Sequence, residues 1–509
     1  MSEWHELYLL GQRQLIGRPG CRTAQAAWLA DCLRRNAACE YLRGHGLDGS
    51  GALASFRSRL PLVDYDTLRP WIDRVTAGEA DVLFAGRAVA CESTGGSGGG
   101  AKLIPYSAHS LADFRRALLG WLADVIRSYN IGTGHAYWAI SPATRSLPEP
   151  APQVPYGLSD ADYLGPEALP LFARLSAVDL AVAGCRELGA WQLATLRDLL
   201  TCHDLSLVSV WSPTFFLSLL EAIPDQAEAL RELLGRGGTL GTREVMPDPA
   251  ALERLDEYLR KDDPAILWPG LKLISCWADG ASRPYFARLR RLFPSVTLQP
   301  KGLLSTEAVV SIPDSSTGQA LLSQDSGFFE FLDEGGEPLL ADEIVISGRY
   351  EVVITTAGGL YRYRTGDIVT CTGHGPGGQP ALRFVGRGNL SSDLVGEKLT
   401  DEFVQRALAD LAGFRALVAD AASRRYVLVF DSDADEATGA ADRVESRLMR
   451  NPQYAYARAL GQLQPLAARR VRQAQHRYIA RMLTQGRRLG DIKMPGLLTA
   501  PEWLDIFAA

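Results

Sequence analysis

The segment Ser93–Lys102, STGGSGGGAK, has the residue types of a loop that binds an oxyanion. Its glycines let the backbone approach an anion closely, successive amides can form a nest for it, and Lys102 adds a positive charge. An apparent strand before it and a helix after it are typical of phosphate binding. The segment is neither a Walker P-loop, which requires Gly-Lys followed by Ser or Thr, nor a dinucleotide-binding fingerprint. A flexible surface loop is the alternative interpretation.

A carboxylate follows two hydroxyl residues in the segment Lys301–Pro313, KGLLSTEAVVSIP. After Ser305 and Thr306, Glu307 offers the single carboxylate with which Mg²⁺ commonly binds substrate phosphates. A capped turn at a strand end explains the same triplet without any ligand.

A second carboxylate, Asp367, lies in the segment Gly359–Val369, GLYRYRTGDIV. Strand alternation predicts Tyr361 and Tyr363 on one face and Arg362 and Arg364 on the other. Asp367 follows a glycine, where a carboxylate can accept two hydrogen bonds from a ribose diol. An ordinary β-turn aspartate is the alternative.

Two later segments carry positive charge. FVGRGNLSSDLVGEKLTDEFV, residues 384–404, contains Arg387, Asp393 and Lys398, and GDIKMP, residues 490–495, contains Lys493 before a proline. Only six of the 53 basic residues are lysines, so a lysine is mildly informative in this chain. A polar linker and a surface lysine are the alternatives.

The expected helices and strands that position these residues are typical of an α/β protein. Residues before Phe56 are expected to be largely helical, a strand is expected at residues 87–93, and an amphipathic helix at 110–126. Short apolar strands at residues 135–143, 205–213 and 271–280 alternate with helices, which indicates a largely parallel sheet.

The sequence pattern changes in the second half of the chain. From Gly327 the chain is dense in strands and hairpins, and from about residue 389 it reads as a smaller α+β unit, with a strand at 426–431 and a helix at 442–460. The late arginines, including Arg477 and Arg488, are interpreted as a solvated helix face. The small and polar residues after Gly386 predict a boundary, giving domains at 1–386 and 394–509 with a hinge at 387–393.

Composition excludes several classes. The 509 residues are 47% hydrophobic and 22% charged, which excludes global disorder and predicts more than one domain. A net charge of −6 argues against nucleic-acid binding, and no apolar stretch predicts a membrane span. The eight cysteines form no CxxC pair, so we expect a cytoplasmic protein, and no obligate protein partner is evident.

The order of these motifs resembles adenylate-forming enzymes, and more closely the Gretchen Hagen amido synthetase family, the auxin-responsive promoter family, in particular its bacterial members. The resemblance covers about residues 56 to 495. It is carried by FRSRLPLVDYDTLRPWI, ESTGGSGGGAKLIPYS, the STE triplet, GLYRYRTGDIV, FVGRGNLSSDLVGEKL and GDIKMP.

The resemblance implies a luciferase-like α/β architecture: a large N-terminal domain with parallel-sheet αβ layers and a β-rich, barrel-like portion, and a smaller mobile α+β C-terminal domain. It also implies a reaction in two steps. A carboxylic acid attacks the α-phosphate of ATP, giving an acyl-adenylate and pyrophosphate, and an amine, usually an amino acid, then attacks the acyl carbon and expels AMP. The implied cofactors are ATP and magnesium.

The resemblance also implies roles for individual residues. The ATP phosphates would be surrounded by Ser93, Thr94, Gly95, Gly96, Ser97, Gly98 and Lys102. Gly96 departs from the threonine common in plant members. The other implied contacts are Thr306 with the nucleotide or the acyl carboxylate, Glu307 with magnesium, Tyr361 with adenine or ribose, Asp367 with the ribose hydroxyls, Arg387 with ribose or phosphate, and Lys493 with charge that develops during adenylation.

Two alternatives to an amide-forming ligase stay open: a ligase of the same fold that transfers the acyl group to coenzyme A or a carrier thiol, and an inactive homologue that binds a nucleotide or an acid. The aromatic residues Trp138, Trp211, Phe215 and Phe216 indicate an apolar or aromatic acid, although such residues are more often core.

Overall fold

Three sheets organise the chain in the computed structural model, which describes residues 2–14, 19–50, 53–93, 102–140, 151–158, 160–388, 390–431 and 439–508. The first is a parallel sheet whose spatial order follows the chain order, as the alternation of strands and helices predicted. Its strands are His135–Trp138, Leu205–Ser209, Leu273–Cys276 and Thr297–Pro300.

The two central strands of the parallel sheet, at 205–209 and 273–276, are buried along their whole length, because helices cover the sheet. Helix Ala108–Ser128 begins where the Ser107 hydroxyl accepts a hydrogen bond from the Ser110 amide at 3.0 Å, and it buries the predicted apolar stripe. Helix Pro213–Arg236 begins with proline in its first turn and contributes Phe215 and Phe216 to the largest apolar core.

The second sheet is a curled antiparallel sheet of seven strands, which confirms the strand-rich second half. Its polar edges and turns carry several of the candidate site residues. In spatial order its strands are Pro338–Leu340, Phe328–Leu332, Arg349–Thr355, Tyr363–His374, Pro380–Arg387, Gln319–Leu322 and Ser311–Asp314.

The YRYR segment is not a regular alternating strand, so the prediction of two faces is wrong. Arg362 has a left-handed backbone conformation, with φ of 50°, and the strand begins only at Tyr363. Arg362 is buried and donates to both carboxylate oxygens of Glu330, at 2.9 and 3.1 Å. It also donates to the Leu60 carbonyl at 2.8 Å, which ties this turn to the N-terminal helices.

The third sheet is formed by the C-terminal residues. Strands at 415–420 and 425–431 are antiparallel, and each has one parallel neighbour. The expected helix at 442–460 is two helices, because Pro452 begins a new one with Asn451 as its cap. In spatial order the strands are Ala467–Val471, Arg425–Asp431, Arg415–Asp420 and Leu497–Leu498.

Short pairs of strands complete the β-structure: Ala90–Ser93 with Leu103–Tyr106, Gly238–Leu240 with Arg243–Val245, and Ser391–Ser392 with Leu399–Thr400.

The N-terminal stretch is helical, as predicted. The α-helices are Glu3–Gln12, Cys21–Asn36, Glu40–Gly44, Leu53–Arg59, Tyr65–Thr76, Ala108–Ser128, Asp160–Leu164, Leu169–Leu175, Leu188–Thr201, Pro213–Arg236, Pro249–Lys261, Arg283–Leu292, Asp401–Ala407, Ala440–Leu448, Pro452–Ala459, Ala474–Thr484 and Glu502–Ile506. The 3₁₀ turns are Leu180–Gly184, Pro264–Ile266, Gly280–Ser282 and Leu489–Asp491.

The C-terminal sheet packs against the remainder of the chain. Arg349, on the antiparallel sheet, donates to the carboxylate of Glu402 at 2.9 Å, and the Arg415 guanidinium lies 5.8 Å from the Tyr285 ring centroid. The largest apolar core includes side chains from both parts. Within the described ranges no helix has the length and hydropathy needed to cross a bilayer. All eight cysteines lie in those ranges, and none forms a disulfide.

We predict that Arg362→Met strongly destabilises the fold, because the buried Glu330 carboxylate loses its bidentate partner and keeps only the single contact with Arg57 at 2.9 Å. The free energy of unfolding in urea should fall by about 3–5 kcal/mol. Arg364→Met is the matched control, since Arg364 pairs with Glu351 but is half exposed, and it should cost less than about 1 kcal/mol. Equal losses in the two variants would contradict a structural role for the buried pair.

Candidate functional site

The centre of the candidate site is an ion pair between two neighbouring strands. The antiparallel register places Asp367 opposite Arg387, and the Arg387 Nε donates to the Asp367 Oδ1 at 3.0 Å. Gly366, with φ of 74°, lies at an irregularity of the strand just before Asp367, and its carbonyl accepts from the Gly388 amide at 2.8 Å. The Asp367 carboxylate raises the pKa of Arg387, so the guanidinium stays charged.

Glu307 brings a second carboxylate to the same place. Its charge contributes to raising the pKa of Arg387. It also contributes to raising the pKa of Tyr363, although burial is the main cause of that shift. The loop is held tightly, because the Ser305 amide donates to the Ala308 carbonyl at 3.0 Å. The Thr306 carbonyl accepts from the buried Tyr106 hydroxyl at 2.5 Å. Thr306 therefore fixes the loop through its backbone.

Lys493 reaches this cluster from the C-terminal residues. Its carbonyl accepts from the Tyr478 hydroxyl at 3.0 Å, and its Nζ lies 4.5 Å from the Trp277 ring centroid and 6.0 Å from that of Phe384. The residue keeps exposed surface, although many protein atoms surround it. Desolvation by those atoms lowers the pKa of Lys493, and the charge of Arg387 lowers it further.

A second ion pair joins the C-terminal residues to the strand before the glycine-rich segment. The Arg488 guanidinium lies 2.9 Å from a carboxylate oxygen of Glu92, which is buried. Glu92 also accepts from the Leu158 amide at 2.9 Å and from the Ser93 amide at 3.0 Å. The interpretation of Arg488 as part of a solvated helix face is therefore wrong.

Part of the glycine-rich segment lies outside the described residues: Thr94, Gly95, Gly96, Ser97 and Gly98. At its two ends, the Ser93 hydroxyl accepts from Tyr156 at 3.2 Å, and the Lys102 Nζ lies 5.2 Å from the Tyr65 ring centroid. Tyr65 in turn acts electrostatically on Tyr363, which lies near the carboxylate cluster.

Tyr361 does not line this site, which corrects its expected contact with adenine or ribose. It is fully buried, its ring stacks on Tyr41, and its hydroxyl donates to the Leu83 carbonyl at 3.0 Å. Tyr363 is the tyrosine near Glu307 and Asp367. Sequence reasoning did not single out Trp277, although its position just after the strand Leu273–Cys276 was a usable signal.

An apolar pocket lies next to the charged cluster, and its interior has a cavity volume of about 50 Å³. Trp138 and Trp211 line it, as expected for two of the four aromatic residues, whereas Phe215 and Phe216 are core. The ring centroids of Trp211 and Trp277 are 6.1 Å apart, which connects the pocket to Lys493. Its other apolar walls are Leu118, Leu122, Leu164, Phe172, Leu304 and Ile312.

The arrangement combines two carboxylates and two positive charges beside an apolar pocket. Asp367 and Glu307 can accept hydrogen bonds or a metal ion, while Arg387 and Lys493 can stabilise developing negative charge. Glu307, Asp367, Arg387 and Lys493 come from segments far apart in sequence, and each of the other three charges acts on Lys493.

Comparison with known proteins gives consistent matches. Residues 20–298 match the GH3 family N-terminal domain, and residues 320–387 match the GH3 family central domain. An indole-3-acetic acid-amido synthetase, GH3.8, of Oryza sativa subsp. indica is 28% identical over 423 residues, which are 75% of this chain and 68% of that protein. A jasmonoyl–L-amino acid synthetase, JAR6, of Nicotiana attenuata is 25% identical over 433 residues, which are 75% of this chain and 72% of that protein.

A solved structure, that of the GH3.15 acyl acid amido synthetase, has a similar fold. It superposes with a TM-score of 0.82 at 22% sequence identity and covers 99% of this chain and 95% of that one. At this identity the likeness supports the architecture, with its parallel sheet and curled antiparallel sheet, rather than any substrate.

We predict that Arg488→Met loosens the C-terminal residues, because Glu92 loses a cation that holds them in place. Amide hydrogen exchange in residues 474–498 should accelerate by about tenfold. Arg481→Met is the control, since Arg481 pairs with the exposed Glu502 inside the C-terminal part. Identical exchange in the two variants would mean that the Glu92–Arg488 contact does not hold the two parts together.

Proposed function

The chain belongs to the GH3 family, and from this premise we propose that it is an ATP-dependent ligase that joins a carboxylic acid to an amine. The acid is first adenylated with release of pyrophosphate. The acyl group then passes to the amine, which we take to be an amino acid, and AMP is released. The observation that carries the proposal is the meeting of Glu307, Asp367, Arg387 and Lys493 beside an apolar pocket.

Asp367 is assigned to the ribose of ATP. Its carboxylate is oriented by the Arg387 Nε at 3.0 Å, which occupies one side of one oxygen. The other lone pairs can accept from both ribose hydroxyls, and hydrogen bonds to an ionised acceptor are stronger than neutral ones. Arg387 thus positions Asp367 and, at the same time, presents a positive charge toward the phosphates.

Lys493 and Arg387 stabilise the negative charge that forms when the acid attacks. An oxygen of the acid forms a bond to the α-phosphorus, and the bond from that phosphorus to the pyrophosphate oxygen breaks. In the second step the amine nitrogen bonds to the acyl carbon, AMP leaves, and the amine loses a proton. We assign Ser93, Lys102 and the intervening residues 94–98 to the phosphates, which follows their place in the sequence.

Glu307 fits a magnesium ion. It is a half-buried carboxylate on a fixed loop, and one carboxylate together with substrate phosphate oxygens is a donor set that Mg²⁺ commonly takes. The ion would neutralise phosphate charge when bound. Thr306 is assigned next to the nucleotide, where its backbone carbonyl keeps Glu307 in place.

We propose that residues 394–509 form a lid that moves about a hinge at 387–393. The ion pairs Glu92–Arg488 and Arg349–Glu402 support a closed position, in which Lys493 lies at the site. Closure excludes water from an intermediate that water would hydrolyse. Opening admits the amine.

The cytoplasm is the proposed compartment, and the excess of arginine over lysine favours a bacterial source.

The acid is proposed to be apolar or aromatic. Trp138 and Trp211 give the pocket aromatic walls, and such mainly apolar linings are typical of sites that bind small organic molecules. The named relatives act on indole-3-acetic acid and on jasmonate, which are acids of this general kind.

Exchange of radiolabelled pyrophosphate into ATP tests the proposal with purified protein, Mg²⁺ and a panel of carboxylic acids. At least one aromatic acid should support exchange, and Asp367→Asn should reduce it by on the order of 10²-fold through loss of the ionised ribose acceptor. Asp342→Asn, at an exposed carboxylate that pairs with Arg22, is the control and should leave exchange unchanged. No exchange with any acid would overturn the ligase proposal.

The acceptor is settled by adding amino acids or coenzyme A to the same mixture and identifying the products by mass spectrometry. An N-acyl amino acid is the expected product. A thioester as the main product would instead place the protein with ligases that transfer to thiols.

The lowered pKa of Lys493 predicts that the rate of adenylation falls at alkaline pH. Because its pKa is lowered from 10.5, the lysine loses its proton, and with it its charge, at lower pH than an ordinary lysine. The kcat/KM for ATP in the exchange assay, which reports the free enzyme, should therefore fall as pH rises, with a midpoint below 10.5. Lys493→Arg should remove this decline, because a guanidinium stays protonated. The same alkaline decline in the variant would exclude Lys493 as its cause.

A further inference from the structure

Three side chains that can bind a metal ion meet at one edge of the parallel sheet. His135 begins the first strand of that sheet, and Cys202 and Asp204 lie between helix Leu188–Thr201 and the second strand, Leu205–Ser209. Each residue offers one ligand atom, and the three atoms all lie within 4.8 Å of one another. The proposed ligase chemistry uses none of these residues.

The backbone holds these three residues in fixed positions. The His135 amide donates to the Asp204 carbonyl at 3.1 Å, which joins the two residues at the start of the parallel strands. The two chains approach closely here, because a Cβ atom added to Gly134 would lie 2.1 Å from the Asp204 carbonyl oxygen. The Trp4 indole donates to the Gly134 carbonyl at 2.7 Å, and the Cys202 amide donates to a carbonyl of the preceding helix at 3.0 Å. Ligands on a fixed backbone lose little conformational freedom on binding an ion.

The separations of the ligand atoms suit a zinc ion. The His135 Nδ1 and the Asp204 Oδ1 are 2.7 Å apart, and the Cys202 Sγ is 3.6 Å from the same oxygen. Zinc bonds of about 2.0–2.3 Å in a tetrahedron place the ligand atoms roughly 3.3–3.8 Å apart. The imidazole and the carboxylate therefore need to separate by only about 0.6 Å for an ion to bind between them.

The donor set distinguishes this cluster from the magnesium site proposed at Glu307. An imidazole nitrogen, a thiolate sulfur and a carboxylate oxygen are ligands typical of zinc, whereas Mg²⁺ prefers oxygen ligands. The side chains of His135 and Asp204 are 42% and 59% exposed, so water can reach the fourth position of a tetrahedral ion. Cys202 binds as the thiolate and releases its proton to solvent.

A second histidine–aspartate pair nearby lacks these features. The His203 Nε2 lies 2.7 Å from the Asp248 Oδ2, but the other ring nitrogen of His203 lies 2.9 Å from the Arg254 guanidinium. That positive charge opposes a metal ion. Among the residues that the structure describes, no third ligand completes a metal-binding set around His203.

We propose that His135, Cys202 and Asp204 form a zinc site with a structural role. The ion ties the start of two parallel strands to the end of helix Leu188–Thr201, which all three ligands together connect. A hydrogen bond between His135 and Asp204 alone leaves the thiol of Cys202 outside the contact, whereas an ion joins all three side chains.

The zinc site lies away from the proposed substrates. Trp138 and Ser209, at the carboxyl ends of the two strands, line the apolar pocket, whereas the zinc ligands lie at the amino ends. A strand of four residues separates the two edges by roughly 10 Å. The ion therefore takes no part in the proposed bond-forming steps, and the assignment does not rest on the ligase function.

Isothermal titration calorimetry with zinc chloride tests the assignment on the full-length protein after treatment with a chelator. Excess Mg²⁺ in the buffer competes for sites built only from oxygen ligands. The unaltered protein should bind one zinc ion. Cys202→Ser and His135→Gln should each weaken binding by about 100-fold, since loss of a direct ligand costs at least as much as loss of a residue that orients one. No zinc binding, or unchanged affinity in these variants, would overturn the proposal.

Cys185→Ser and His203→Gln are the matched controls. Cys185 is the other cysteine that is only partly buried, and His203 belongs to the second histidine–aspartate pair. Both variants should bind zinc as the unaltered protein does. A loss as large as that in Cys202→Ser would show that zinc binding does not depend on the proposed ligands and would overturn the assignment.

Substitution of Co²⁺ for zinc tests the sulfur ligand directly, because a thiolate bound to cobalt gives a charge-transfer absorption band. The unaltered protein and Cys185→Ser should show this band, and Cys202→Ser should lose it. If circular dichroism shows that Cys202→Ser does not fold, His135→Gln decides by calorimetry. Absence of the band in the unaltered protein would contradict a zinc site that includes Cys202.

Discussion

The site depends on the ion pair between Asp367 and Arg387, because that pair joins two neighbouring strands of the antiparallel sheet at the point where the other charges of the site meet. Strand register puts the two residues opposite each other, and Gly366 adopts the positive φ at the strand irregularity just before Asp367. Arg387 ends its strand, so the guanidinium that orients Asp367 also stands where the chain leaves the sheet. A change in register by one residue would reverse the faces of both side chains and disperse the site.

Other contacts bring the remaining charges to this pair. The buried pair of Arg362 and Glu330 fixes the turn that precedes the strand of Asp367, and the hydrogen bond from Tyr106 fixes the loop of Glu307. Lys493 lies near this pair because the C-terminal residues pack there, and the Glu92–Arg488 ion pair is one of the packing contacts. The chemistry proposed here is therefore a property of tertiary packing, since no single segment supplies both the carboxylates and the cations.

The sequence predicted the fold class and most of the elements because both follow from local pattern. Alternating strands and helices gave the parallel sheet, and motif order gave the family. Failures came where a local pattern competes with tertiary contacts. Tyr361 and Tyr363 are equivalent in an alternating strand, whereas in the structure Arg362 between them has a left-handed conformation, Tyr361 stacks on Tyr41, and Tyr363 lies near Glu307 and Asp367. Similarly, no local signal distinguishes Arg488, whose partner Glu92 is nearly four hundred residues away in the chain.

The most direct test of this account is a crystal structure of the protein with AMP bound. The account predicts that both ribose hydroxyls lie within about 2.6–3.2 Å of the Asp367 carboxylate, with the phosphate on the side of Lys493 and the apolar pocket beyond it. AMP bound away from Asp367, or bound with its ribose hydroxyls in solvent, would contradict the account.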